Sequence, residues 1–246
     1  MKTQDPHPSN LKSTPGLLKT HGLLIAFMAL AISLRIFFWL YTGRVWEDSL
    51  ITLNNATNFW LGNGLNHHLN EARAQSFTSP IGLLIPLIGE AINQGLWFLR
   101  VTSLIATVGS MLFAYLIGKR WHFSWQIQIL ILGYLSCDQL QIFFGMAGME
   151  TQVATFLILG FSFFLITERW LALGVFTGIG LLTRPEFIFC VAALFIYLLL
   201  FRRNKLIAVF TPILLMGLPW ALFTQFYFGS IVPNTVQAKS FAGNYG

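Results

Sequence analysis

Apolar runs of about twenty residues, each closed by charged or turn-forming residues, recur along this chain, and about twenty is the length a helix needs to cross the hydrocarbon core of a bilayer. In lipid every backbone polar group must be bonded internally, so such runs fold as helices. Long runs lie at 22–42, 97–118, 124–143, 150–167, 186–201 and 206–227, and shorter ones at 79–92 and 170–183. Only 10% of the 246 residues are charged and 55% are hydrophobic, whereas soluble domains are roughly a quarter charged. A soluble fold would leave too much of this apolar surface in water. The net charge of +6 is spread over the ends of apolar runs instead of forming one stripe, which argues for membrane orientation and against a nucleic-acid partner. Cys137 and Cys190 lie in or beside apolar runs, too few for a disulfide framework, and read as small core residues.

Charge decides which of the short runs cross. Cytoplasmic loops are enriched in Lys and Arg. If 79–92 does not cross and 170–183 does, Lys119 and Arg120, Arg169, and Arg202, Arg203 and Lys205 all fall inside with Lys2, Lys12 and Lys19. Most acids then fall outside: Glu47, Asp48, Glu71, Glu90, Asp138, Glu150 and Glu186. The expected fold is an all-α integral membrane protein of about seven transmembrane helices, with a cytoplasmic tail at 1–20, a membrane module at 21–228 and an outer tail at 229–246. The apolar stretch after the tail is too long for a signal-peptide core and reads as a retained anchor. The large outer loop, 43–97, holds a helix over Ser49–Leu61 ended by Gly62 and Gly64, and the segment 79–92, with Pro86 and Glu90, lies along the interface. Arg35, inside the first run, snorkels or pairs with another span.

The layout collects reactive groups on the outer side. Glu47 and Asp48 follow the first span, where partial desolvation favours a general base; acids at a helix start also serve the helix dipole. Arg184, in Thr183-Arg184-Pro185-Glu186, is suited to a phosphate or carboxylate, or to an ion pair with Glu186 or Glu150 that holds helix ends. Glu150 opens another span after Gly145 and Gly148. Asn234 and Lys239 lie beyond the last span, where an ammonium can meet a phosphate. Glu71, Arg73 and Gln75 face a pocket or water, and His67 and His68 are adjacent, which disfavours a shared metal. The acid pair is competent to hold a divalent metal or to act without one, so no cofactor is assigned. Asn55-Ala56-Thr57 fits a glycosylation sequon, a pattern too short to weigh. Cations for a departing phosphate and a base for an acceptor hydroxyl are what transfer from a lipid phosphate requires.

The order of these motifs resembles that of the C-type (GT-C fold) glycosyltransferases, most of all the bacterial group with a D-D-A-[FY]-I motif that includes the mycobacterial terminal arabinofuranosyltransferases. Here that motif stands as Glu47-Asp48-Ser49-Leu50-Ile51. Phe77-Thr78-Ser79-Pro80, Gly148-Met149-Glu150-Thr151, Thr183-Arg184-Pro185-Glu186 and Phe228-Gly229-Ser230-Ile231-Val232-Pro233-Asn234-Thr235 with Ala238-Lys239 follow in the same order, over about residues 44–240. The resemblance implies an enzyme that moves a sugar from a polyprenyl-phosphate donor to a glycan, lipid or protein acceptor of the cell envelope. It further implies a bacterial inner membrane, an N-terminus in the cytoplasm and an active site on the outer face. The base maps to the Glu47-Asp48 pair; the first position carries Glu47 where the family usually has Asp, which leaves both acids open as the base, with Asp48 slightly preferred. Arg184 and Lys239 would hold the donor phosphate, and Glu150, Asn234, Glu186, Arg73 and His67 would support the pocket. Family members usually continue with further spans, so the chain reads as a minimal module, a fragment or a truncated product. The alternative is a non-catalytic protein that binds or transports polyprenyl phosphate, or an inactive truncated remnant.

Overall fold

The computed structural model describes residues 17–67 and 75–231, and these are helical, with no strand among them. Ten α-helices follow one another: α1 Leu17–Thr42, α2 Glu47–Trp60, α3 Pro80–Glu90, α4 Gly95–Arg120, α5 Trp125–Cys137, α6 Gln139–Met146, α7 Thr151–Ile166, α8 Trp170–Thr183, α9 Phe187–Phe201 and α10 Leu206–Phe228. Each expected run but the one at 124–143 is found as a single helix within a few residues of its expected limits. Four stretches are long and apolar enough to cross a membrane: His21–Thr42, Gly95–Arg120, Trp125–Met146 and Arg203–Phe228. Helices α7, α8 and α9 have 16, 14 and 15 residues, which at about 1.5 Å per residue is shorter than the ~30 Å hydrocarbon core. Large apolar side chains such as Phe37, Leu130, Ile207 and Phe226 stand on the outside of the bundle, as expected where lipid is the solvent.

The run expected at 124–143 is two helices. Asp138 ends α5 with an extended ψ of 108° and begins α6, its Oδ1 accepting from Leu140 N at 3.1 Å. Asp138, counted above with the outer acids, therefore sits within the Trp125–Met146 stretch. The broken end of α5 is held by Arg35, whose side chain is fully buried. Its guanidinium donates to the carbonyls of Leu135 and Ser136, to Ala31 O on its own helix and to Gln152 Oε1 on α7. Arg35 thus pairs with other helices; it does not snorkel. It meets the partial negative charge of a helix C-terminus, where cations are stabilised. Ser136 takes the buried position at the break and Cys137 is exposed, while Cys190 is half-buried. The expectation of two core cysteines fails because the break turns Cys137 outward.

Packing follows two centres. Leu24 and Ala31 of α1, Met111 and Tyr115 of α4 and Leu132 of α5 form one core. Leu173 of α8, Leu194 and Leu198 of α9, and Val209 and Ile213 of α10 form the other. Helices α8 and α10 meet at Gly174, where an added Cβ would collide with the Val209 carbonyl; small residues let helix backbones approach in this way. A third cluster, Leu65, Phe77 and Leu83, packs on Trp220, Tyr227 and Phe228 and fastens the segment before α3 to the end of α10. Helix α3 has Ser79 as its N-cap, accepting from Gly82 N at 2.8 Å, and Pro80 in its first turn. Its 11 residues rise about 16 Å, roughly half a span.

Candidate active site

Helix α1 stops at Gly43, whose φ of +57° suits a residue without Cβ. The chain then runs without regular structure to Trp46, which is tied to the turn after α6: Trp46 N donates to Ala147 O at 2.9 Å. The Trp46 ring stands edge-on to Phe143 and Phe144 at 5.5 and 5.3 Å. Ser49 Oγ, 2.6 Å from Trp46 O and 2.8 Å from Ala147 O, donates into the same junction. Gly148, at φ +96°, passes so close that a Cβ there would stand 3.0 Å from Ser49 Oγ. The turn that delivers Asp48 and the turn that delivers Glu150 are therefore a single packed unit.

Beside this junction is a cavity of about 230 Å³. Asp48, Glu150 and Arg184 bring charge to it, Ser76, Thr78 and Ser79 line it from the segment before α3, and Ile51 and Met149 give it apolar wall. Asn55, fully buried, donates to Ser76 Oγ at 2.9 Å and so sets that segment against α2. That burial removes Asn55 as a glycosylation acceptor. Arg184 Nε stands 3.2 Å from Glu150 Oε1, and its NH2 group is 3.3 Å from Thr151 Oγ1. Glu150 makes no side-chain cap on α7, so its role is the ion pair; this is the Arg184–Glu150 link that the sequence allowed as a way of holding helix ends. Arg184 keeps 31% of its side chain accessible, enough to face a ligand. The described part of the cavity holds two carboxylates and one guanidinium, an excess of negative charge.

The structure separates the expected residues. Asp48, Glu150 and Arg184 come together. Glu47 is exposed and outside the lining, one residue from Asp48 and so about 100° round the helix. Glu186 is exposed at the start of α9 and does not reach the cavity. His67 is half-buried and also outside the lining, with its carbonyl facing Asn58 Nδ2 at 3.4 Å. Arg73, His68, Glu71, Asn234 and Lys239 lie outside the described residues. Among the described residues, no group of three or more His, Cys, Asp or Glu side chains gathers as a metal site.

One residue of the site's frame was not singled out from sequence. Arg100, near the start of α4 and 7% exposed, donates from Nε to Met146 O at 2.8 Å and from NH2 to Arg44 O at 3.0 Å. Its guanidinium lies over the Trp39 ring at 5.1 Å. An arginine a few residues inside an apolar run was the available signal, since such a group must find partners. No protein-family model matches the chain, and no curated protein or solved structure matches it either.

Proposed function

We propose that this protein is a membrane glycosyltransferase that takes a sugar from a polyprenyl-phosphate donor and adds it to an acceptor hydroxyl at the outer face of a bacterial inner membrane. The supporting observation is that residues of four separated motifs, Glu47–Ile51, Phe77–Pro80, Gly148–Thr151 and Thr183–Glu186, line one cavity. In this reading α1, α4, the α5–α6 pair and α7 to α10 are seven passes, with α2 and α3 on the outer side. Successive antiparallel passes put Asp48, Glu150 and Arg184 at the same end.

The chemistry follows from the groups present. Asp48, exposed and on the cavity wall, accepts the proton of the acceptor hydroxyl as its oxygen attacks the anomeric carbon. The bond from that carbon to the phosphate oxygen breaks, and polyprenyl phosphate leaves with the electron pair. Arg184, with Lys239, meets the charge of the departing phosphate. Glu47 is the lesser candidate for base. The test is sugar transfer in membranes by Asp48→Ala, Glu47→Ala and the double variant, with polyprenyl-phosphate-linked radiolabelled pentoses and hexoses. Loss with Asp48→Ala and retention with Glu47→Ala are expected; full activity of the double variant overturns the mechanism.

A second reading, a protein that binds polyprenyl phosphate without turnover, needs only the partly accessible Arg184 on the cavity wall and no base. Donor bound at saturation with no transfer to any acceptor would select it.

A further inference from the structure

Arg100 joins two turns that are distant in sequence. Arg44 lies four residues before Asp48, and Met146 four residues before Glu150. The guanidinium holds the carbonyls of both, at 3.0 and 2.8 Å, and Gly43 O stands 3.5 Å from the same NH2 group. Met146 is the last residue of α6, where helices leave carbonyls without intrahelical partners, and Gly43 and Arg44 lie in the irregular segment just after α1. The side chain is 7% exposed, no carboxylate pairs with it among the described residues, and the Trp39 ring covers one face. The planar fork fixes a distance and an angle between the two turns at once. A lysine could reach one carbonyl but could not hold both in one plane.

We propose that Arg100 is a positioning residue: it sets the placement of Asp48 relative to the Glu150–Arg184 pair, and so the alignment of base and phosphate site. The proposal rests on the transferase reading for its effect on rate, but the junction itself exists without it. Donor affinity is assigned to Arg184, whose hydrogen-bond partner is Thr151 and not Arg100, so loss of the clamp acts on kcat. Misplacement of a reacting group by about 1 Å costs up to about a hundredfold in rate.

The experiment is Arg100→Lys in the full chain, read in two ways. Spin labels at Leu50→Cys on α2 and Leu140→Cys on α6, both exposed, are introduced with Cys137 and Cys190 replaced by Ser. Their distance distribution should be narrow with Arg100 and broad with Lys. In the transfer assay with polyprenyl-phosphate-linked pentoses and hexoses, Arg100→Lys should lower kcat roughly tenfold to a hundredfold, with donor KM within about threefold. An arginine needed only for folding would lower the yield of folded protein and leave kcat of the folded fraction unchanged. An unchanged distance distribution, or an unchanged kcat, overturns the proposal. If the parent protein transfers no sugar at all, the transferase reading fails, and the clamp stands or falls on the distances. Should Arg100→Lys give no folded protein, Arg100→Gln, whose single amide can reach one of the two carbonyls and not both, takes its place, and the same distances decide: broadening supports the clamp and an unchanged width overturns it.

Discussion

Arg35 and Arg184 are both guanidiniums at helix ends, and they are bonded in opposite ways. Arg35 is fully buried and directs its donors to main-chain carbonyls at the end of α5 and to Gln152. Its partners are fixed parts of the fold, and an incoming ligand has no route to them. Arg184 keeps 31% of its side chain accessible and faces Glu150 and Thr151 on the wall of a cavity. Its partners are side-chain oxygens, and a phosphate can take the place of a carboxylate. The contrast separates an arginine that closes a gap in the helical frame from one that is available for exchange. Arg100 belongs with Arg35 by its bonding and with Arg184 by its location.

The largest effect expected on the cavity side is on activity. Asp48→Asn keeps the size of the side chain and removes the proposed base, so transfer should fall by about a hundredfold to ten-thousandfold, while thermal unfolding in detergent moves little because Asp48 is exposed. A comparable loss of folded protein would show that Asp48 belongs to the frame and would break the contrast. The next largest effect is the reverse case. Arg35→Leu removes the donors that meet Leu135 O and Ser136 O and should destabilise the protein by about 3 kcal/mol, the scale for removing one partner of a buried charged network. Arg184→Ala should cost no more than about 1 kcal/mol, because its pair is partly solvated. Unfolding midpoints that coincide for the two variants would erase the distinction between them.

Helix positions were legible because hydropathy runs report burial in lipid residue by residue, and α8 over Trp170–Thr183 reproduces the expected 170–183 run. The break at Asp138 was less visible, since apolar residues resume at Leu140 and continue with Ile142, Phe143 and Phe144. Its signal was a polar cluster, Ser136 to Gln139, with an N-capping aspartate inside it. The choice between Glu47 and Asp48 depends on a 100° rotation about α2 and on where the Ser76–Ser79 segment lies, which no local pattern fixes. The same holds for Arg100, whose partners are 46 and 56 residues away. Long-range bonds to main-chain carbonyls leave no mark on residue type.

A smaller effect sharpens the comparison at Glu150. If Arg184 is available for exchange, Glu150 competes with the anion that binds there. Glu150→Gln should then tighten binding of a short polyprenyl phosphate, measured by calorimetry in detergent, by about threefold, the scale of a partly screened ion pair. Weaker binding would mean that Glu150 itself contacts the ligand and that the pair is not a competing state.

The smallest effect concerns the ion pair at the opposite end of the bundle, which shows what an arginine–carboxylate contact contributes when neither burial nor a cavity is involved. Arg202 NH2 is 2.8 Å from Glu168 Oε1, shorter than the Arg184–Glu150 contact, yet the two side chains are 46% and 55% exposed. Short distance alone does not make a pair strong, because water and salt screen exposed charges and holding two long side chains costs entropy. Glu168→Gln should therefore change stability by no more than about 0.5 kcal/mol, and the change should vanish in molar salt. Glu150→Gln should keep a larger share of its effect under the same salt, since Glu150 is only 13% exposed and buried pairs are screened less. Equal salt sensitivity of the two variants would mean that the cavity is as open to solvent as the far end of the bundle, and that the accessibility of Arg184 carries no special availability to a ligand.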